Sequence, residues 1–286
     1  MWIRTGLPRG EYASVDALLG ELRLSTVCRE AHCPNRSECW SAGTATLMLL
    51  GSKCTRRCRF CAVETRSPHG VVDREEPSRV GEAVARWGLS YVVLTQVCRD
   101  DLDDGGAALL AETVRAIHRR APSARVELLV GDLAGRAASL ETVLEARPEV
   151  LAHNLETVRR LSGAIRDRRA GYDQSLELLQ RARRRGGSQL VTKSSIMLGL
   201  GETDSEIEAA LHDLRSADVD LLTLGQYLRP SADHLPVDRF VPPEEFDAWA
   251  DRARDLGFAG VASGPMVRSS YHADELFRRA RRLREV

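Results

Sequence analysis

Short β-rich apolar runs alternating with longer helical patterns predict an α/β protein, a partial (β/α)6–7 barrel of the TIM type with an N-terminal extension and a C-terminal segment closing its mouth. Two further observations support that fold. A chain of 286 residues, 43% of them hydrophobic, is long enough to bury one sizeable core. The chemically unusual residues also fall directly after the predicted strands, where a parallel barrel places its active-site loops.

Taken in order, the predicted strands are Thr46 to Leu50, Tyr91 to Thr95, Val126 to Val130, Val150 to His153, Leu190 to Met197 and Leu221 to Leu224. A weaker seventh is Gly260 to Ser263. Apolar residues at helical spacing lie between them: Val80, Val84 and Trp87, then Leu109, Leu110, Val114 and Ile117, then Leu176, Leu178 and Leu179. Residues 1–43 form the extension, 44–263 the barrel and 264–286 the closing segment.

Each predicted strand runs into a polar or glycine-rich stretch. The first is followed by a cysteine loop and the second by QVCRDDLDDGG. GDL, HNLET, MLGLGET, GQYLRPS and SGPMVRSSY follow the others. Parallel strands bring all their C-terminal loops to one face, so residues remote in sequence converge there. Single glycines and prolines in such loops also serve ordinary turn chemistry.

Composition narrows the function. Lys plus Arg and Asp plus Glu number 41 each, so no global positive field recommends nucleic acid as a partner. The run Arg181, Arg183, Arg184 and Arg185 reads as the solvated end of a helix. No apolar run reaches the length of a membrane span, and no secretory signal is evident, which points to a soluble protein of the reducing cytoplasm.

Six of the seven cysteines form two triplets separated by fifteen positions: Cys28, Cys33 and Cys39, then Cys54, Cys58 and Cys61. A disulfide framework belongs to short secreted domains and does not suit this chain. Three thiolates suit a 4Fe-4S cube with one iron left for another ligand. Structural zinc is the rival for either triplet, since His32 adjoins Cys33 and His69 follows Cys61.

The second triplet, CTRRCRFC with Phe60 before its last cysteine, resembles the CxxxCxxC signature of the radical S-adenosylmethionine superfamily. From about Pro8 to Asp274 the chain resembles the lipoyl synthase family. That resemblance is carried by Cys28, Cys33 and Cys39 within CPN and ECW, by HNLETV, GLGET, GQYLRPS and HLPV, and by RSSYHA at Arg268 to Ala273.

The resemblance implies a sulfurtransferase that inserts two sulfur atoms, at carbons 6 and 8 of an octanoyl chain amide-linked to a lysine of a lipoyl carrier domain. It implies two 4Fe-4S clusters. Cys54, Cys58 and Cys61 would hold the one that cleaves S-adenosylmethionine. Cys28, Cys33 and Cys39, with Ser270 or its neighbour Ser269 as fourth ligand, would hold an auxiliary cluster that donates sulfur. Phe60, Thr95, Asn154, Met197 and Glu202 become candidates for binding S-adenosylmethionine, and Lys193 and Arg268 for anchoring a carboxylate or carbonyl. The implied partners are octanoylated carriers (2-oxoacid dehydrogenase E2 subunits and the glycine cleavage H protein), an electron donor such as ferredoxin or flavodoxin, and a carrier that rebuilds the spent cluster.

Residue chemistry agrees with that division of labour, because an alkyl radical must form within contact of its trap. The chain departs from the family in several places. Cys98 stands where the family has an acidic or amide residue, Gln96 where it has a small one, and KSSIM where it has KSGIM; VRRLSGAIRD lacks the usual proline. Cys98 reads as a small buried hydrophobe. Asp100, Asp101, Asp103 and Asp104 read equally as a hydrated loop or as ligands. Two rival functions, a methylthiolating enzyme acting on RNA and a non-catalytic iron-sulfur scaffold, lack their signs: a basic surface for the first, and for the second any need of a functional loop after every strand.

Overall fold

The computed structural model describes residues 7–284, which divide into two compact units. The first comprises the chain up to residue 56 together with 62–148; the second comprises 57–61 and the chain from 149 onward.

The first unit opens with helix α1 (Tyr12–Glu21), a short strand β1 (Ser25–Thr26) and the small helices α2 (Val27–Glu30) and α3 (Arg36–Ser41). Strands β2 (Thr46–Leu49), β3 (Lys53–Cys54) and β4 (Glu64–Thr65) follow. Helix α4 (Glu76–Trp87), β5 (Tyr91–Gln96), α5 (Ala107–Arg120), β6 (Arg125–Leu129) and α6 (Ala137–Glu145) complete it. β2, β5 and β6 pair in parallel, with Thr46 opposite Val93 and Tyr91 opposite Arg125. The predicted helical residues lie within α4 and α5. Val80, Val84, Leu110, Val114 and Ile117 are fully buried, as an apolar stripe at 3.6-residue spacing requires.

The second unit contains β7 (Val150–Ala152), α7 (Arg159–Ile165), α8 (Tyr172–Gly186), β8 (Val191–Leu198), α9 (Asp204–Ser216), β9 (Leu221–Gln226), α10 (Pro243–Asp255), β10 (Gly260–Gly264) and α11 (Ala273–Arg284). Its four strands are also parallel, in the order β7-β8-β9-β10. Leu198, Ile207, Leu211, Leu222, Leu224 and Phe246 are fully buried in one apolar cluster. Thr203 starts α9 with a capping box, its hydroxyl accepting from Glu206 N–H while the Glu206 carboxylate takes Thr203 N–H at 2.9 Å.

All seven predicted strands are present within one or two residues of their expected bounds. The basic run Arg183, Arg184 and Arg185 does close α8, and Arg183 Nη1 donates to the Gly187 carbonyl just past its end at 3.3 Å and to the Leu190 carbonyl at 2.8 Å. β1, β3 and β4 had no counterpart in the sequence pattern. Two-residue strands show no alternation, and β1 pairs antiparallel with β2. Among the described residues no helix is long and apolar enough to cross a membrane.

Candidate active site

In the first unit the chain from Thr26 to Ala42 gathers Cys28, Cys33 and Cys39. Thr26 accepts from Arg29 N–H at 3.3 Å and starts α2 with Cys28 inside it. Cys33 N–H donates to Cys28 O at 3.2 Å, and Cys39 sits on α3. Buried Trp40 anchors α3, with Tyr12 against its ring at 5.1 Å and the Arg29 and Arg36 guanidinium groups over it at 5.0 and 5.7 Å. Burial, and then the nearby Cys28 and Cys33, push the Cys39 thiol up to about 12. Thiols this crowded cannot all ionise unless a cation compensates them.

Strand β2 ends in a tight turn at Leu50 (φ 67°) and Gly51 (φ 86°). Glu76 holds it, accepting Leu50 N–H at 2.7 Å and Gly51 N–H at 3.4 Å. The chain then enters the cysteine loop at Cys54. Thr55 N–H and Oγ1 both donate to the Cys98 carbonyl, at 3.0 and 2.9 Å. Arg56 turns inward. Its guanidinium donates through Nη2 to Asp100 at 2.8 Å and through Nη1 to Asp132 at 2.6 Å, with only 4% of the side chain exposed.

These residues line a small cavity with Gln96, Cys98, Gly105 and Arg136. The Cys54 sulfur accepts Arg56 N–H at 3.4 Å, and the neighbouring Cys98 together with that bond pulls the Cys54 thiol down to about 6. Cys98 is half-buried, and the neighbouring Cys54 and then burial push its thiol up. The aspartates after it brace the loop. Asp101 pairs with Arg99 at 2.8 Å and accepts Gly70 N–H at 2.7 Å, while Asp104 accepts Gly106 N–H at 2.8 Å. Thr95 is buried on β5 in the same unit.

In the second unit the other half of the cysteine loop is gripped from three places. Arg57 N–H donates to Asp167 Oδ2 at 2.9 Å, Asp167 N–H donates to Cys58 Sγ at 3.3 Å, and Arg59 N–H donates to Ile165 O at 2.8 Å. His234 Nε2 lies 3.1 Å from the Cys61 carbonyl, and Leu235 N–H donates to Arg59 O at 3.3 Å. Phe60 lies half-buried between these anchors. Sequence reasoning missed Asp167, whose only signal was its place in the departing segment VRRLSGAIRD; it matched HLPV without seeing what that segment holds.

Asn154 Nδ2 donates to Glu156 Oε1 at 3.2 Å, and its Oδ1 is buried without a partner among the described residues. Burial raises the Glu156 carboxyl above the usual range. Lys193 is fully buried on β8, opposite Ala152. Met197 pairs in register with Gly225, and a Cβ on Gly225 would fall 2.2 Å from Val267 O and 3.5 Å from Arg268 Nη1. Met197 and Arg268 therefore flank one glycine. Glu202 is spent on structure, accepting Gly199 N–H at 2.6 Å and Leu200 N–H at 2.9 Å. Ser269 and Ser270 are half-buried in the turn before α11.

The donor sets fit iron-sulfur chemistry: three gathered thiols in the first unit, and cluster-loop sulfurs of which Cys54 and Cys58 each accept a backbone N–H. The orphaned Asn154 Oδ1 fits a ligand that brings a donor. Among the described residues no group of three His, Cys, Asp or Glu is placed to hold a single metal ion.

The family model of the radical SAM superfamily matches residues 48–214, and the chain has that superfamily's α/β fold. The FeFe-hydrogenase maturase HydG from Carboxydothermus hydrogenoformans superposes with a TM-score of 0.62 at 13% identity, over 93% of this chain and 61% of that one. Methylornithine synthase superposes with a TM-score of 0.54 at 16% identity, over 80% of this chain and 63% of that one. Both likenesses concern the fold alone. Among curated proteins, the lipoyl synthase of Thermus thermophilus is 57% identical over 277 residues, covering 96% of this chain and 85% of its own length. That of an Anaeromyxobacter species is 53% identical over 279 residues, covering 97% and 94%. The chain belongs to the lipoyl synthase family, sulfurtransferases of the radical SAM superfamily.

Proposed function

We propose that this protein inserts two sulfur atoms, at carbons 6 and 8, into an octanoyl chain carried on a lysine of a lipoyl domain, and that its two cysteine triplets divide the work. When bound, a 4Fe-4S cluster with S-adenosylmethionine supplies a radical able to take hydrogen from an unactivated carbon, and an auxiliary 4Fe-4S cluster supplies sulfur. Cys54, Cys58 and Cys61 hold the first; Cys28, Cys33 and Cys39 hold the second, with Ser270, or Ser269 beside it, as fourth ligand. Phe60, Thr95, Asn154 and Met197 bind and orient S-adenosylmethionine, with Asn154 Oδ1 accepting a donor from it. Lys193 and Arg268 anchor carboxylate or carbonyl groups. Glu202 acts through the Gly199–Leu200 turn, whose backbone it fixes. The division into extension, barrel and closing segment at residues 43 and 263 goes with this scheme.

The observation that carries the reading is the crowding of Cys28 and Cys33 about Cys39, whose thiol is pushed up by burial and then by those two neighbours. Such a triplet makes sense as a ligand set waiting for cationic iron. The carriers are E2 subunits and the H protein, with ferredoxin or flavodoxin as reductant and a carrier protein that rebuilds the cluster. The test is the variant Cys28→Ala/Cys33→Ala/Cys39→Ala against Cys54→Ala/Cys58→Ala/Cys61→Ala, each given S-adenosylmethionine, dithionite and an octanoylated lipoyl-domain peptide. The first variant should cleave S-adenosylmethionine without thiolating the peptide, and the second should do neither. Loss of cleavage in both would refute the division.

A further inference from the structure

We propose that Ser175 is a positioning residue for the radical-generating centre: its buried hydroxyl ties the His153–Asn154 turn, through Arg166, to the segment that grips the cysteine loop. This rests on the reading given above, in which that loop holds a cluster and Asn154 binds S-adenosylmethionine.

Ser175 stands out by its place. Tyr172, Ser175, Leu179 and Ala182 form the buried stripe of α8, and a hydroxyl at 0% exposure in such a stripe has to be hydrogen-bonded. Three groups meet it. Ser175 Oγ lies 3.0 Å from Gly171 O, 2.9 Å from Arg166 Nη1 and 2.8 Å from His153 Nε2. A hydroxyl has one hydrogen and two lone pairs, a guanidinium only donates and a carbonyl only accepts. One assignment alone puts a hydrogen in every contact: Ser175 donates to Gly171 O and accepts from both Arg166 Nη1 and His153 Nε2–H. The serine is thus saturated, and the imidazole tautomer is set.

Each arm leads to a part of the site. His153 follows β7, donates its backbone N–H to Lys193 O at 3.0 Å, and precedes Asn154. Arg166, 7% exposed, stands between the two residues that hold the loop. Ile165 O accepts Arg59 N–H at 2.8 Å, Asp167 Oδ2 accepts Arg57 N–H at 2.9 Å, and Asp167 N–H donates to Cys58 Sγ at 3.3 Å. Three consecutive loop residues are therefore fastened on either side of an arginine whose own anchor is Ser175. A buried network with every member satisfied fixes geometry in a way that single surface bonds do not. Without the hydroxyl, Arg166 Nη1 keeps only the longer contact to Gly171 O, at 3.4 Å, among the described residues.

The experiment is hydrogen exchange read by mass spectrometry on the metal-free full chain, comparing Ser175→Ala and Ser175→Thr with the parent at residues 57–61 and at β9. Ser175→Ala should speed exchange at 57–61 roughly five- to a hundredfold, the range set by one stranded buried donor, and leave β9 at the parent rate. Ser175→Thr, which keeps the oxygen, should recover most of the protection. A second pair, His153→Leu and His153→Gln, is read after reconstitution by the change in the electron paramagnetic resonance signal on titrating S-adenosylmethionine, and serves even where Ser175→Ala does not fold. His153→Leu should raise the half-saturating concentration at least about fivefold, and His153→Gln, which keeps a donor, should restore it. Unchanged exchange at 57–61, equal acceleration at β9, or no recovery in Ser175→Thr would overturn the proposal. So would an unmoved half-saturating concentration in His153→Leu. A second triplet that binds no iron in the parent chain would fail the cluster reading instead, and the exchange result would still stand or fall by itself.

Discussion

Replacing Arg56 by alanine should be among the most damaging single changes in the first unit. The side chain is 4% exposed and its guanidinium serves two carboxylates, Asp132 at 0% and Asp100 at 18% exposure. Its removal leaves Asp132 with one donor among the described residues, Ala134 N–H at 3.0 Å. Breaking a buried pair by removing one partner costs about 3–5 kcal/mol, or about two to four powers of ten in the folded population at 1.36 kcal/mol per decade. Arg56→Lys keeps the charge but not the fork that reaches both carboxylates, and should fall between. Hydrogen exchange of the β5 and β6 amides in the metal-free protein reads this stability without involving the second unit. Asp132→Asn should reduce the cost of Arg56→Ala when the two are combined, since the stranded charge is then gone. A cost under about 1 kcal/mol, or strict additivity of the two changes, would refute the claim that this network braces the cysteine loop.

In metal-free protein at pH 7, iodoacetamide should label Cys54, held at about 6, well before Cys39, held near 12; peptide mass mapping that finds the reverse order would contradict the charge environments described. Gly225→Ala should displace the segment carrying Arg268, Ser269 and Ser270, because the new methyl meets the Val267 carbonyl at 2.2 Å; thiolation should fall more steeply than S-adenosylmethionine cleavage, and equal losses would argue against a role of that segment in sulfur transfer. Asp101, held down to about 2 chiefly by Arg99, has a folded value below its unfolded one. Its contribution should be complete above about pH 4 and lost as pH falls towards 2, so the stability gap between parent and Asp101→Asn should close on acidification. A gap that widened would reverse the assigned sign.

The parallel strands were legible because each is a short apolar run bounded by turn residues, and the helices because α4 and α5 keep a strict apolar stripe. β1, β3 and β4 were not, since two residues carry no period. The two cysteine triplets stand out in sequence by spacing alone, and Phe60 by its place in the signature. What escaped was the bracing. Arg56, Asp132 and Asp167 are ordinary charged residues in sequence, and only the fold shows that they fasten the loop. Glu202, a ligand candidate in sequence, also fixes a turn. The Glu202 carboxylate is taken up by the backbone of its own turn, at Gly199 and Leu200.

The most direct test of the account is the origin of the sulfur. Protein reconstituted with isotopically heavy sulfide, then freed of excess sulfide, should place two heavy sulfur atoms in an octanoylated lipoyl-domain peptide, with two S-adenosylmethionine molecules cleaved per product. Product bearing light sulfur, or cleavage of S-adenosylmethionine with no sulfur in the peptide, would contradict it.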